Sequence, residues 1–193
     1  RAVREQGLTH AEAAARYGLA SGNQAQHNWD RLDTRFDLTQ EPNEANRHGW
    51  IVEVDPFDPQ GAPRKLTALG RFKHEGANVT INSDGRVVVY MGDDERFDYM
   101  YKFVSSRKMQ DGNSQAALRH NMTLLDAGTL YVAQLSGESP ATIDGSGTLP
   151  EGSAFAGAGT WIPLLRTGED GKGESLVEGM SAEEVAVFTR LAA

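Results

Sequence analysis

The chain has 193 residues, no cysteine and a formal net charge of −8. The lack of cysteine excludes disulfides and thiolate metal sites within it, and the acidic balance sets aside nucleic acid and anionic lipid, whose phosphates are held mainly by clustered Lys and Arg. No run is long and apolar enough to span a bilayer, so no membrane partner is expected, and the composition of both ends reads as an interior slice of a longer protein.

Residues 1 to 18 read as a helix: Thr9 and Glu12 match a capping box, Ala11 and Ala13 to Ala15 favour helix, and Gly18 suits its end. Ser21 to Asn28 reads as loop. From Trp29 to about Leu165, short β-rich runs alternate with Gly, Pro, Asn and Asp, the spacing of sandwiches, barrels and propellers. Expected strands are Gly49 to Val54, Lys65 to Phe72, Val79 to Asn82, Arg86 to Met91, Tyr99 to Ser105, Thr129 to Leu135 and Thr160 to Leu164. The turn-rich segment Asp55-Pro56-Phe57-Asp58-Pro59 separates the first two, because proline fixes φ and removes a ladder donor. Residues 136 to 159, rich in Gly, Ser and Ala, read as an exposed loop. A second capping box, Ser181-Ala182-Glu183-Glu184, opens a helix through about Leu191. Short turns with no long helix between strands fit antiparallel meanders such as propeller blades. The expected fold is therefore mainly β, part of a β-propeller of several antiparallel blades, with short helices near both ends.

Two constellations carry chemistry. Gly70-Arg71-Phe72-Lys73-His74-Glu75-Gly76-Ala77 leads into a strand, a Ser83-Asp84-Gly85 turn and a strand ending at Met91-Gly92-Asp93-Asp94-Glu95-Arg96. Folding the chain back on a two-residue loop at Asp84-Gly85 sets Glu75 against Asp94 and gathers Glu75, Asp93, Asp94 and Glu95 at one end of the hairpin. Like charges facing across a strand pair repel, so such a cluster either splays into water or holds a cation; the cation is the favoured reading. Strand alternation puts Arg71 and Lys73 on the side of Glu75, where they orient an anionic substrate such as a phosphate group. The competing reading is a solvated acidic turn with Arg71, Lys73 and Arg96 as surface partners. The second constellation, Glu41-Pro42-Asn43-Glu44-Ala45-Asn46-Arg47-His48-Gly49-Trp50, offers oxygen ligands and a cation but is read as a capped, hydrated loop. Zinc spacing, a nucleophile elbow and a P-loop are all missing.

At these residues the chain resembles the PhoX-type alkaline phosphatases. The resemblance rests on Glu41 through Pro59, on Ala68 through Ala77 and on Tyr90 through Phe97, and extends over nearly the whole sequence. It implies a β-propeller with a central cluster of calcium and iron ions, hydrolysis of phosphate monoesters, small phosphorylated substrates, a monomer when complete, and twin-arginine export to the periplasm or beyond. On that basis Glu75 is a catalytic carboxylate of the metal cluster, Asp93, Asp94 and Glu95 are further metal-ligand candidates, and Arg71 and Lys73 are substrate-binding candidates. Residues 1 to 193 then form an internal portion of one larger domain. A Cys-Glu-Glu segment is expected upstream and an Arg-Pro-Glu-type segment downstream, so this piece alone is expected to be inactive. A lactonase-like propeller hydrolase and a non-catalytic, calcium-stabilised binding module are the alternatives.

Overall fold

A computed structural model describes residues 10–19, 27–137 and 157–193. Thr9, most of the expected loop after Ser21, and residues 138–156 of the expected later loop lie outside them.

Helix α1 (His10–Arg16) ends in a left-handed glycine as expected. Gly18 has φ 77°, and the Leu19 and Gly18 amides donate to the Ala14 and Ala15 carbonyls at 3.0 and 2.9 Å, which satisfies carbonyls the helix leaves open. A short ribbon follows, β1 (Val52–Glu53) against β2 (Arg64–Lys65). Beyond β2 the expected strand to Phe72 does not form. A 3-10 turn, Thr67–Leu69, replaces it, capped by Gly70 at φ 79°, so that Leu66, Ala68, Leu69 and Phe72 all turn inward instead of alternating.

The main sheet holds six strands in sequence order, β3 (His74–Ile81), β4 (Arg86–Asp93), β5 (Met100–Lys108), β6 (Gly128–Gly137), β7 (Gly157–Thr167) and β8 (Gly173–Ser175). Every neighbouring pair is antiparallel. This is the meander that the turn spacing predicts, mainly β and of propeller type, and among the described residues β3 and β8 remain its two edges. Pro163 sits inside β7 where the β6–β7 register slips by one residue between Leu130 and Tyr131, the kind of place a strand tolerates a residue without an amide hydrogen. Helix α2 (Gln115–Asn121), with the Ser114 hydroxyl accepting from the Ala117 amide at 3.1 Å, and strand β8 were not foreseen from the sequence.

One face of the sheet carries the core. Val87, Val89 and Met91 of β4, Tyr101 and Phe103 of β5, and Leu130 and Val132 of β6 are buried against Leu66, Leu69 and Phe72 and against Leu124, Met180 and Val185. The Phe72 and Tyr101 rings stack with centroids 4.2 Å apart. On the opposite face the Lys102 ammonium lies 4.4 Å from the Trp161 ring centroid and 4.9 Å from that of Tyr131, packing a charged tip on aromatic surface. The C-terminal capping box forms as read: the Ser181 hydroxyl accepts from the Glu184 amide and the Glu184 carboxylate accepts from the Ser181 amide. Its helix breaks at Phe188 into α3 (Ala182–Val187) and α4 (Thr189–Ala192).

Candidate metal-binding rim

The β3–β4 turn sets the geometry of the acidic end. The Asn82 amide donates to the Arg86 carbonyl at 2.8 Å and Gly85 takes φ 89°, so three residues, Ser83 to Gly85, form the loop. With that extra residue Val79 faces Val89 and Asn78 faces Tyr90. A bulge between Glu75 and Asn78, with Gly76 at φ 73°, shifts the register once more. Glu75 consequently stands opposite Gly92 and His74 opposite Asp93, which corrects the expected pairing of Glu75 with Asp94.

The four carboxylates separate into two environments. Glu75, Asp94 and Glu95 are exposed. No hydrogen bond or ion pair engages the Glu75 carboxylate among the described residues. The Asp94 amide donates to the Lys73 carbonyl at 2.8 Å, which pins the chain while its side chain stays in solvent. The Lys73 ammonium donates to Glu95 at 2.5 Å, and this bond holds the Glu95 carboxyl below its ordinary range.

Asp93 behaves differently. Its side chain is wholly buried and both oxygens are gripped by Arg190, with Nε 2.6 Å from Oδ2. Asp98, which sequence reasoning missed, is equally buried and held by Arg16 through both oxygens, one at 2.9 Å, with Arg190 Nε at 3.8 Å. Tyr17 completes the cluster: its hydroxyl donates to the Arg71 carbonyl and accepts from the Arg190 amide, each at 3.1 Å. The cluster joins α1, the end of β4 and α4, and nothing in local sequence marks it.

Arg71 and Lys73 also part company. Strand geometry starts only at His74, so the alternation that puts Arg71 beside Glu75 does not reach it. Arg71 is buried, donating from Nε to the Val187 carbonyl at 2.8 Å and lying 4.0 Å above the Tyr17 ring, and burial lowers its pKa. His74 packs against Phe72 with ring centroids 3.7 Å apart and the rings tilted by 31°, and burial lowers its pKa.

The loop before β1 is not simply hydrated. Glu44 is only 4% exposed and faces Arg35 and Arg47 at 3.3 Å and His48 at 3.5 Å. Trp50 Nε1 donates to the Asn46 carbonyl at 2.9 Å and closes the turn.

For a metal, carboxylate oxygens are the hard donors that calcium takes. Glu75, Asp94 and Glu95 fit as part of such a set. Asp93 does not, because Arg190 occupies both of its oxygens. Among the described residues no three candidate ligands converge on one point. Among the described residues the rim is therefore not a closed site.

The sequential meander, the short helices at either end and the acidic rim define a propeller-type β protein. The family model described as alkaline phosphatase PhoX matches residues 3–193. Among solved structures, that of Pseudomonas fluorescens PhoX in complex with vanadate, a transition state analogue, aligns with a TM-score of 0.74 at 44% sequence identity, covering 96% of this chain and 29% of that one. No curated protein matches. The chain belongs to the PhoX family of alkaline phosphatases and spans 29% of the length of the Pseudomonas relative.

Proposed function

We propose that the protein to which these residues belong hydrolyses phosphate monoesters with calcium and iron, and that Glu75, Asp94 and Glu95 supply oxygen ligands from the hairpin rim. The observation that carries this reading is the family match along residues 3–193 together with three exposed carboxylates at the one hairpin end. Metal ions, when bound, polarise phosphoryl oxygens and offset the charge that develops in phosphoryl transfer. The vanadate complex of the Pseudomonas relative supports a phosphoryl-transfer site in this family. The chain's own residues do the holding. Glu75 sits at a bulged edge where its carboxylate is left open, and Lys73 keeps Glu95 ionised by donating to it. Lys73, the exposed cation of the pair first considered, is the better group to meet an anionic substrate. Arg71 braces the C-terminal helices from inside.

The same proposal places residues 1 to 193 within one larger β-propeller domain whose further parts complete the donor set. Its substrates are small phosphorylated molecules, it acts as a monomer, and it is exported to the periplasm or beyond. The net charge of −8 supports the exclusion of nucleic acid. The test is hydrolysis of a chromogenic phosphate monoester by full-length protein, with calcium removed and restored, in wild type and Glu75→Ala. Loss of turnover in the variant and without calcium is expected. Undiminished turnover in Glu75→Ala removes that residue from the site, and turnover of lactones in place of phosphate esters overturns the reading.

A further inference from the structure

We propose that the cleft between the Thr34–Phe36 turn, the Glu44–Arg47 turn and the β1–β2 ribbon binds a phosphate-sized dianion. The cleft has a volume of about 380 Å³ and its walls include Arg35, Glu44, Arg47, His48, Trp50 and Lys65. That volume is in the range of small-molecule sites.

Charge gives the ligand class. Arg35, Arg47 and Lys65 face one carboxylate, Glu44, which leaves an excess of two positive charges among these four side chains. This occurs on a chain whose net charge is −8, so the cleft stands out as a local attractor for anions. Glu44 does not use up its neighbours. Arg35 and Arg47 reach it through Nε at 3.3 Å, longer than a charge-assisted hydrogen bond, and among the described residues Glu44 Oε2 accepts no hydrogen bond. Among the described residues no hydrogen bond takes the Nη groups of either arginine, the paired donors that match a phosphate in a fork. The buried carboxylate thus lies beside two guanidinium groups whose outer donors stay open among the described residues.

Neighbouring contacts brace the walls of the cleft. The Arg35 guanidinium lies 4.6 Å over the Phe36 ring, and the Lys65 ammonium donates to the Arg47 carbonyl at 2.5 Å. Gly49, at φ 82°, lets the loop approach so closely that a Cβ there would sit 3.2 Å from the Phe72 carbonyl oxygen. The Phe72 amide donates to the Gly49 carbonyl at 3.0 Å, which docks the cleft onto the segment leading into β3. Trp50 gives one wall an aromatic surface beside the cations. A ligand with a doubly charged head and a small apolar remainder matches these walls: orthophosphate, or the phosphate group of a monoester.

Calorimetric titration of full-length protein with inorganic phosphate, in the presence of a chelator, tests this. Saturable binding is expected, roughly tenfold weaker in Arg47→Gln and in Lys65→Gln, both exposed positions, and unchanged in Glu75→Ala. A parallel titration with phenyl phosphate separates the two sources: tighter binding than orthophosphate assigns the cleft to the ester, equal or weaker binding to the free ion. Absence of saturable binding at millimolar phosphate overturns the proposal. So does binding that survives both Arg47→Gln and Lys65→Gln, or that disappears in Glu75→Ala. None of these readouts requires turnover, so the result stands apart from the test of phosphatase activity.

Discussion

Arg190 closes on Asp93 from 97 residues away, Nε donating to Oδ2 at 2.6 Å and Nη2 to Oδ1, with the two side chains 1% and 0% exposed. Ion pairs this deep depend on each other: taking away one partner leaves a charge out of water, whereas replacing both with apolar groups of similar shape is close to neutral. Arg190→Met is therefore expected to lower unfolding free energy by about 3–5 kcal/mol, and Arg190→Met with Asp93→Leu to recover most of it. Urea midpoints of the two variants check this. A single-variant loss below about 1 kcal/mol would rank the pair with surface bridges.

Asp98 makes the same cluster sensitive to acid. The hydrogen bonds from Arg16 lower its pKa, with burial opposing them and the Arg16 charge assisting. A carboxyl whose folded pKa lies below its unfolded value adds stability that is present above the unfolded value, near about 3.9, and fades as pH falls through the folded one. Urea midpoints are expected to drop between pH 5 and pH 3 in the wild type. Asp98→Asn should start lower at neutral pH and fall less steeply across that window. Parallel profiles would show that Arg16 does not hold the carboxyl.

Much of the fold is visible in local sequence because its devices are local. Ser181 and Glu184 cap a helix within one turn, Gly18 ends another, and the apolar alternation of Val87, Val89 and Met91 marks a half-buried strand. The rim was legible as composition but not as pairing. One added loop residue at Ser83 and one bulge after Glu75 moved every partner, and neither has a signal stronger than the glycines beside it. The segment 65 to 72 misled because a run of apolar residues reads alike for a strand and for a 3-10 turn with all of them inward. Arg190, Asp98 and Glu44 were out of reach, since their roles arise from residues brought together only by the tertiary fold.

Two glycines with similar φ differ in what surrounds them. Gly70 has φ 79° and ψ 167°, a region essentially reserved for glycine, and Gly76 has φ 73°, so an alanine at either is strained by about 1–3 kcal/mol. At Gly70 a Cβ would also lie 2.8 Å from Thr189 Oγ1 and 2.9 Å from Leu130 Cδ2, while at Gly76 it meets nothing within 4 Å. Thr189 has little freedom to move, because its hydroxyl accepts from the Arg71 amide at 2.9 Å and donates toward the Val185 and Ala186 carbonyls. Gly70→Ala is expected to destabilise by about 1–3 kcal/mol more than Gly76→Ala. Equal losses in thermal or urea unfolding would mean that the helix does not press on Gly70.

Glu75 and Arg71 lie four residues apart, and substitution tells their duties apart. Arg71 donates to the Val187 carbonyl, covers the Tyr17 ring and fills space beneath α3, so Arg71→Ala removes packing as well as a charge-assisted bond. A loss of about 2–4 kcal/mol is expected for it. Glu75 is exposed and without a described partner, so Glu75→Ala should change unfolding free energy by no more than about 0.5 kcal/mol while abolishing phosphate-ester turnover in full-length protein. If Glu75→Ala instead unfolds the apo protein as readily as Arg71→Ala does, the carboxylate belongs to the scaffold and the ligand assignment passes to Asp94 and Glu95.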